Sequence, residues 1–340
     1  MKAAVFQGAG EKLRIAEVDK PQAWPGMLVF RVKACGICAS DLHAAEVPMI
    51  APGNVLGHEY AGEVVEVGEG VTGWEIGDRL IAIPGRPCGE CAHCRTGDFE
   101  GCEEFVMQGF DLRMPGGYAE YSTCVAQLAI KLPTNLSDQD AATIEPLAVG
   151  LNAWKSAQAS DGASVLIVGA GIIGLSIAKW ARFFGAADVG ISEMVPVRQE
   201  RARKAGVDLV IDAGNVADPV VEYQRLTGRT PSIIFECVGR PMIDKLIAMA
   251  PRDAQLVLVG TGMQNESFTV LSAAMKRLRM TFPLAYEMEH FDFVLRMLEA
   301  GRMSTDPLVS ATVALDDVPD MFELLSKPND HCKVLITPAA

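Results

Sequence analysis

Three groups of residues in this sequence have the types and the spacing to do chemistry. The tightest is Cys88-x2-Cys91-x2-Cys94-x7-Cys102, four thiols within a short loop rich in glycine and charge. That spacing can wrap one zinc ion tetrahedrally and leave no open position, which makes it a structural site where no substrate can bind. Backbone N–H groups of the loop must then offset the negative charge that four thiolates leave on the ion. Two disulfides, disfavoured in a reducing compartment, and an iron–sulfur centre are competing readings of the same spacing. His93 lies inside the cluster, but four cysteines already complete the tetrahedron.

The second group is glycine-rich. The apolar run from Ser164 to Val168 leads directly into Gly169-Ala170-Gly171-Ile172-Ile173-Gly174, and a helix-like stretch from Leu175 to Phe184 follows. In a G-x-G-x-x-G motif between strand and helix, Gly169 permits the tight turn, Gly171 lets the backbone approach a pyrophosphate, and Gly174 lets helix and strand pack closely. The helix start, with Ile172 and Ile173, supplies N–H donors to the phosphates. Glycines also serve such turns without any ligand, so the flanks matter. Glu193 follows Gly174 by nineteen residues, where an acid at the end of the second strand bonds the ribose hydroxyls of the adenosine half; a solvated surface acid is the alternative. Met194 comes next, not an arginine or serine suited to a 2′-phosphate, which predicts NAD over NADP. Arg198 could stack on adenine or reach a phosphate.

The third group is dispersed: Ala34-Cys35-Gly36-Ile37-Cys38-Ala39-Ser40-Asp41-Leu42-His43, then Gly57-His58-Glu59-Tyr60-Ala61-Gly62, and much later Ile144-Glu145-Pro146-Leu147-Ala148-Val149. Together with the four-cysteine loop and the nucleotide motif, these segments occur in the order seen in zinc-dependent medium-chain dehydrogenases, and the chain resembles that family over essentially its whole length. Glu145-Pro146-Leu147-Ala148 is similar to the polyol, threonine and secondary-alcohol branch, where a glutamate replaces the third ligand cysteine of other alcohol dehydrogenases. The resemblance implies a second zinc ion on Cys38, His58 and Glu145, with one position open to water or an alcohol oxygen. Such a set is formally neutral and Lewis-acidic. It lowers the pKa of bound water to about 7, and the same polarisation eases loss of an alcohol proton so that hydride can leave the carbon; in reverse it polarises a ketone.

The resemblance also assigns Ser40 to the first step of a proton relay running through the cofactor ribose to His43, and it puts Asp41 behind His58, orienting the ring. Glu59 is open: in relatives this position ligates zinc, exchanges with water or stays outside the metal's direct contacts, and Glu145 ranks above it. Read from residue chemistry alone, Ser40 and Asp41 can cap a helix, His43 can be a surface histidine, Cys35 can pack near the site, and Glu145 can serve helix-cap electrostatics. A residue before proline is pushed from helical geometry, so Glu145 is expected at a helix break with its side chain turned into a cleft between lobes.

These groups need two kinds of scaffold. From Met1 to about Val125 the sequence shows short β-like segments punctuated by glycine: Lys2 to Phe6, Leu28 to Val32, Glu63 to Val67, Asp78 to Ile83 and Tyr118 to Cys124. From Ser164 to about Phe282, apolar runs at Ser164 to Val168, Asp188 to Ser192, Asp208 to Ile211, Ser232 to Glu236 and Gln255 to Val259 alternate with helical stretches, the pattern of a parallel sheet covered on both faces. Between them Ser137 can cap a helix, with Asp140 three residues on. The tail adds a helix around His290 to Ala300, ended by Gly301, and β-like segments Ala311 to Leu315 and Lys333 to Ile336, which suit the first lobe. The expected fold is α/β: a β-rich lobe, GroES-like by the resemblance, plus a Rossmann doubly wound parallel sheet. The zinc-containing catalytic domain is expected over 1–148 and 288–340, the NAD-binding domain over 149–287.

Composition narrows the function. A chain of 340 residues, 49% hydrophobic, can bury a core and predicts about two domains. The net charge of −13, with a pI near 4.9, repels phosphate backbones and anionic membranes, so neither nucleic acid nor a membrane surface is expected as a partner. The longest uncharged apolar-rich stretch, Gly162 to Ala178, carries four glycines and is too short to span a bilayer. With no apolar leader at the N-terminus, the expected location is the cytoplasm. Cys124, Cys237 and Cys332 read as small core residues.

Val47 to Ile50, Met107 to Phe110 and Leu284 to Met288 are expected to wall the substrate pocket by their place in the family pattern. Mostly apolar, they favour a bulky or cyclic secondary alcohol, or its ketone, over a sugar alcohol. Asn152 stands where many polyol-branch relatives carry histidine. Polyol, diol or L-threonine oxidation is the alternative, and a non-catalytic NAD-binding sensor is the reading from another class. By the resemblance the protein is a homo-oligomer, with a tetramer favoured.

Overall fold

The computed structural model describes residues 1–99, 101–260, 262 and 264–338. The chain divides into two compact units. One holds Met1–Glu145, Glu287–Thr305 and Val309–Ala340; the other holds Pro146–Tyr286 and Asp306–Leu308.

In the first unit β1 (Lys2–Val5) pairs antiparallel with β2 (Arg14–Glu17). The long β3 (Met27–Gly36), α1 (Ala39–Ala45), β4 (Glu59–Val67) and β5 (Arg79–Ala82) follow. A small ribbon of β6 (Gly85–Arg86) and β7 (Val106–Met107) flanks the cysteine loop with its short α2 (Ala92–Thr96), and β8 (Tyr121–Val125), β9 (Ala129–Lys131) and α3 (Asp138–Ala142) complete this stretch. Inward residues of the main sheet, Leu28, Phe30, Val32, Val64 and Leu80, are buried together with Phe6, Leu56 and Tyr118. The Ser137 hydroxyl accepts the Asp140 N–H at 3.0 Å and caps α3 as expected.

Where α3 ends, the structure corrects one expectation. The break falls at Thr143, and α4 (Ile144–Ser156) already includes Glu145 and Pro146 in its first turn. Proline's missing N–H costs little there, because the first N–H groups of a helix have no internal partner. Glu145 is therefore helical.

The second unit carries β10 (Ser164–Val168), α5 (Ile172–Phe183), β11 (Asp188–Glu193), α6 (Pro196–Lys204), β12 (Leu209–Asp212), α7 (Pro219–Thr227), β13 (Ile233–Glu236), α8 (Ile243–Met249), β14 (Gln255–Leu258), α9 (Val270–Met275) and β15 (Arg279–Thr281). All pairings are parallel, in the order β12-β11-β10-β13-β14-β15. That is the 3-2-1-4-5-6 order of a doubly wound sheet, with its switch point beside β10, the position at which sheets of this order generally bind dinucleotides. β15, too short to stand out in the sequence, forms one edge.

The tail returns to the first unit as α10 (Met288–Glu299), β16 (Val309–Ala314), α11 (Val318–Leu325) and β17 (Lys333–Thr337). β17 pairs antiparallel with β3, Leu335 opposite Gly36 and Ile336 opposite Cys35, and β16 lies parallel beside β17.

A buried polar knot holds the loop after β7. Tyr60 Oη donates to Gln108 Oε1 at 2.7 Å, and Gln108 Nε2 lies 3.0 Å from Pro115 O, 3.0 Å from Ser122 Oγ and 2.7 Å from Thr123 O. Gln108, expected in the pocket wall, is instead wholly buried. Its truncation leaves several buried polar groups unmet. Gln108→Met should lower the stability of the first unit by about 3 kcal/mol, read as a lower urea midpoint at an unchanged slope.

Candidate functional site

The end of β3, the start of α1 and the start of β4 bring the dispersed residues together. Cys38 is the N-cap of α1, and its N–H donates to Asp41 Oδ2 at 3.2 Å. Ser40 Oγ lies 3.1 Å from Cys38 Sγ and 3.4 Å from His58 Nε2. The buried His58 ring points Nδ1 at Asp41 Oδ1, 3.3 Å away. These two atoms are fully buried and have no other partner among the described residues. Burial draws His58 towards neutrality, but the charges of Asp41 and Cys38 outweigh it and hold its pKa well above the ordinary histidine value. A metal entering here displaces a proton.

Ligand atoms of Cys38, His58 and Glu59 lie within 4.8 Å of one another. Glu59 is also gripped from behind. Lys333, 1% exposed, sets Nζ 2.7 Å from Glu59 Oε1 and 2.6 Å from Oε2, and it donates to Ile37 O at 2.8 Å. Burial would strip Lys333 of its proton, yet Glu59, Cys38 and Glu145 hold its pKa above the usual lysine value. Glu145, buried in the first turn of α4, is thus within electrostatic reach of the same lysine, although it stands outside the tight group of three. His43 sits in the last turn of α1, three residues from Ser40 and so on the same face.

The four loop cysteines also converge, with sulfur atoms within 4.8 Å and Cys88 Sγ 3.8 Å from Cys94 Sγ. A tetrahedron with zinc–sulfur bonds of about 2.3 Å has edges of about 3.8 Å, so the set fits one zinc ion. Backbone N–H groups supply the expected offset: Cys91 N faces Cys88 Sγ at 3.4 Å, Cys94 N faces Cys91 Sγ at 3.4 Å, and Cys88 N faces Cys102 Sγ at 3.3 Å. N–H groups of Glu90 and Cys91 lower the Cys88 pKa to about 7. His93 turns away to Asp98, 2.7 Å from its Oδ2.

At the switch point Gly169 has φ +102° and donates its N–H to Ser192 O at 2.9 Å. A methyl group at Gly174 would meet Gly169 O at 2.0 Å, whereas at Gly171, the N-cap of α5, it would meet no atom within 4 Å. Gly174 is thus needed for packing, and Gly171 keeps open the space over the helix start. Glu193 is buried, not a solvated acid. Its Oε2 accepts the Ala170 N–H at 2.9 Å, and its Oε1 accepts those of Met194 and Val195 at 2.7 and 2.9 Å. Arg198 lies half-buried in the first turn of α6.

The chain matches two family models, the alcohol dehydrogenase GroES-like domain over residues 25–134 and the zinc-binding dehydrogenase over residues 173–300. It is 30% identical to (R,R)-butanediol dehydrogenase of Bacillus subtilis, over 99% of this chain and 100% of that protein. With L-threonine 3-dehydrogenase of Pyrococcus abyssi it shares 32% identity over 92% and 91% of the two chains. The crystal structure of the Bacillus subtilis 2R,3R-butanediol dehydrogenase superposes with a TM-score of 0.88, covering 99% of both chains at 30% identity. This chain belongs to the zinc-type medium-chain alcohol dehydrogenases. As in that family, its fold joins a GroES-like lobe to a Rossmann-type sheet.

Within this dehydrogenase, three residues near the chemistry carry no signal in the sequence. Lys333 sits far along the chain from Glu59. Tyr118 donates its hydroxyl to Asp41 Oδ2 at 2.7 Å. Glu236 is a second buried carboxylate at the switch point; it ends β13 and accepts the N–H groups of Val238 and Gly239 at 2.6 and 2.9 Å, while burial raises its pKa. Of the expected pocket wall, the Phe110 ring lies 5.7 Å from the His58 ring and Met49 is exposed. Asn152 donates to Leu284 O and Ala285 O, at 3.2 and 3.0 Å, and so holds the third wall segment.

The glycine geometry separates binding from folding. Gly171→Ala should leave thermal stability unchanged within about 0.5 kcal/mol, at the level of a harmless surface change, and weaken dinucleotide binding at least tenfold by calorimetry. Gly174→Ala should lower the melting temperature before any cofactor is added.

Proposed function

We propose that this protein is an NAD-dependent zinc dehydrogenase that interconverts a secondary alcohol and its ketone. The carrying observation is the arrangement of half-buried Cys38 with buried His58 and Asp41, two metal-ligand types side by side with a carboxylate behind the imidazole. Cys38, His58 and Glu145 are the proposed ligands of a catalytic zinc ion, because Glu59 is already ion-paired with the buried Lys333. Cys88, Cys91, Cys94 and Cys102 are the proposed ligands of a structural zinc ion. NAD is proposed to lie on Gly169, Gly171 and Gly174, with its phosphates at the N–H groups of Ile172 and Ile173, its ribose at Glu193 and its adenine or phosphate at Arg198.

When bound, zinc supplies the Lewis acidity that eases loss of the alcohol proton, and NAD accepts the hydride from the carbinol carbon. Ser40 then has a defined task. Its hydroxyl, beside Cys38 and His58, takes the proton and passes it towards His43 on the same helix face. Asp41 holds the His58 tautomer. The first unit is proposed as the catalytic domain, and the second as the NAD-binding domain.

Phe110 and Met49 support an apolar wall and a bulky secondary alcohol. The diol, polyol and threonine activities that give relatives their names are the alternative. A cytoplasmic, homotetrameric enzyme is proposed as well. The oligomer is supported by the β15 edge, beside which Val270, Leu271, Met275, Phe282 and Leu284 are exposed, an arrangement suited to sheet extension by a second copy.

A panel of alcohols, diols and amino alcohols with NAD and NADP tests the activity. Two zinc ions per chain and chelator-sensitive reduction of NAD by a secondary alcohol are expected. Reduction of neither nucleotide by any alcohol would leave only a binding protein. Glu145→Ala should lose one zinc ion or lower kcat/KM by at least about a hundredfold, while Cys94→Ser should lose the other and melt earlier. Glu193→Ser should raise the use of NADP relative to NAD. Leu271→Asp combined with Phe282→Asp should reduce the assembly size measured by light scattering, with each chain still folded.

A further inference from the structure

Tyr118 is wholly buried, and its seat is tightly built. Its N–H donates to Leu56 O at 3.0 Å, and its carbonyl accepts the Ala4 N–H at 2.8 Å. Gly116 and Gly117 bond Val55 O and Gly57 O, each at 2.7 Å, so residues 116–118 are strapped along the segment that leads into His58. A methyl group on Gly57 would stand 2.4 Å from the Tyr118 ring, and one on Gly117 would stand 2.8 Å from Cys35 Sγ. The ring packs closely on Gly57, and its hydroxyl is aimed at Asp41.

Asp41 is wholly buried too. Oδ2 collects both fixed donors, the Tyr118 hydroxyl at 2.7 Å and the Cys38 N–H at 3.2 Å, which leaves Oδ1 towards His58 Nδ1. With only the Cys38 N–H the carboxylate could rotate about its Cβ–Cγ bond; with two donors on one oxygen the other is directed. We propose that Tyr118 is a positioning residue of the metal centre, anchoring Asp41 so that Oδ1 keeps the proton on His58 Nδ1 and Nε2 presents its lone pair beside Ser40 and Cys38. Partners behind a ligand histidine set the basicity and direction of its metal-binding nitrogen, and their loss commonly costs ten- to a hundredfold in metal affinity. The proposal rests on Cys38 and His58 being zinc ligands, as argued above.

The test measures zinc loss from the purified holoprotein to a chromogenic chelator at neutral pH, following both ions, in wild type, Tyr118→Phe and Tyr60→Phe. Tyr60→Phe removes a similarly buried hydroxyl bond of 2.7 Å, to Gln108, and reports generic destabilisation. Tyr118→Phe is expected to release one zinc ion about tenfold faster, with the four-cysteine zinc leaving at the wild-type rate; Tyr60→Phe is expected to change neither rate. Asp41→Asn also releases that one ion faster, and adding Tyr118→Phe to it should accelerate release no further, because both changes act through one carboxylate.

Wild-type release from Tyr118→Phe, equal acceleration in Tyr60→Phe, or additive effects in the double variant would each overturn the role of Tyr118 and leave the zinc reading intact. A wild type that carries only the four-cysteine zinc would overturn that reading, and the role of Tyr118 with it. If Tyr118→Phe does not fold, Asp41→Asn releasing that zinc ion at the wild-type rate would overturn the role by itself, because Tyr118 acts only through Asp41.

Discussion

Charge balance among closely gathered, largely buried ionisable groups is the constraint on which the first unit depends. Cys38, Asp41, Glu59 and Glu145 gather around one imidazole and one ammonium group, that of Lys333. An interior does not tolerate several uncompensated acids. The acids in turn raise the pKa values of His58 and Lys333 above their usual ranges. A divalent cation held by these residues would compete with the proton on His58 and add positive charge, which would link metal binding to folding of this region. Cys35 is buried beside the site, and burial raises its thiol's pKa above the usual range.

The sheet supplies the alignment this requires. β3 ends just before Cys38, β4 begins at Glu59 immediately after His58, and β17 lies against β3 on its other side. The Leu335–Gly36 and Ile336–Cys35 pairs set the register, and Ile37 N–H donates to Val334 O at 3.0 Å. Continued by one more residue, that register puts Lys333 opposite Cys38. Because side chains alternate along a strand, a slip of one residue would turn Lys333 away and leave Glu59 without its partner. The tail thus returns to the first unit for electrostatic as well as apolar reasons.

The same distinction explains how much of the molecule was legible in its sequence. The four-cysteine loop, the glycine motif, Glu193 and most strands are local: spacing along the chain sets geometry, as Ser164–Val168 and Gly169–Gly174 show. β15 was missed because three residues at a sheet edge carry too little periodicity. The break before Glu145 was placed late because proline is tolerated in a helix's first turn. Lys333 and Tyr118 reach their partners across 274 and 77 residues, and no local pattern marks a lysine as buried or a tyrosine hydroxyl as aimed at an aspartate. Gln108 lay within a segment read as pocket wall because sequence position does not say which way a side chain turns.

The proposed choice between two carboxylates turns on the Lys333–Glu59 pair. The buried ammonium group donates to Glu59 Oε1 and to Ile37 O, and Glu59 Oε2 lies 2.6 Å from Nζ as an ion-pair contact. For Glu59 to become a metal ligand it must give up charge-assisted bonds to a buried cation, and breaking a buried pair costs about 3–5 kcal/mol. A ligand drawn from outside that pair avoids this cost. Glu145, buried in the first turn of α4, is the carboxylate proposed for that role. In the proposed site Glu59 would keep its charge near the bound cation, with Lys333 holding its carboxylate.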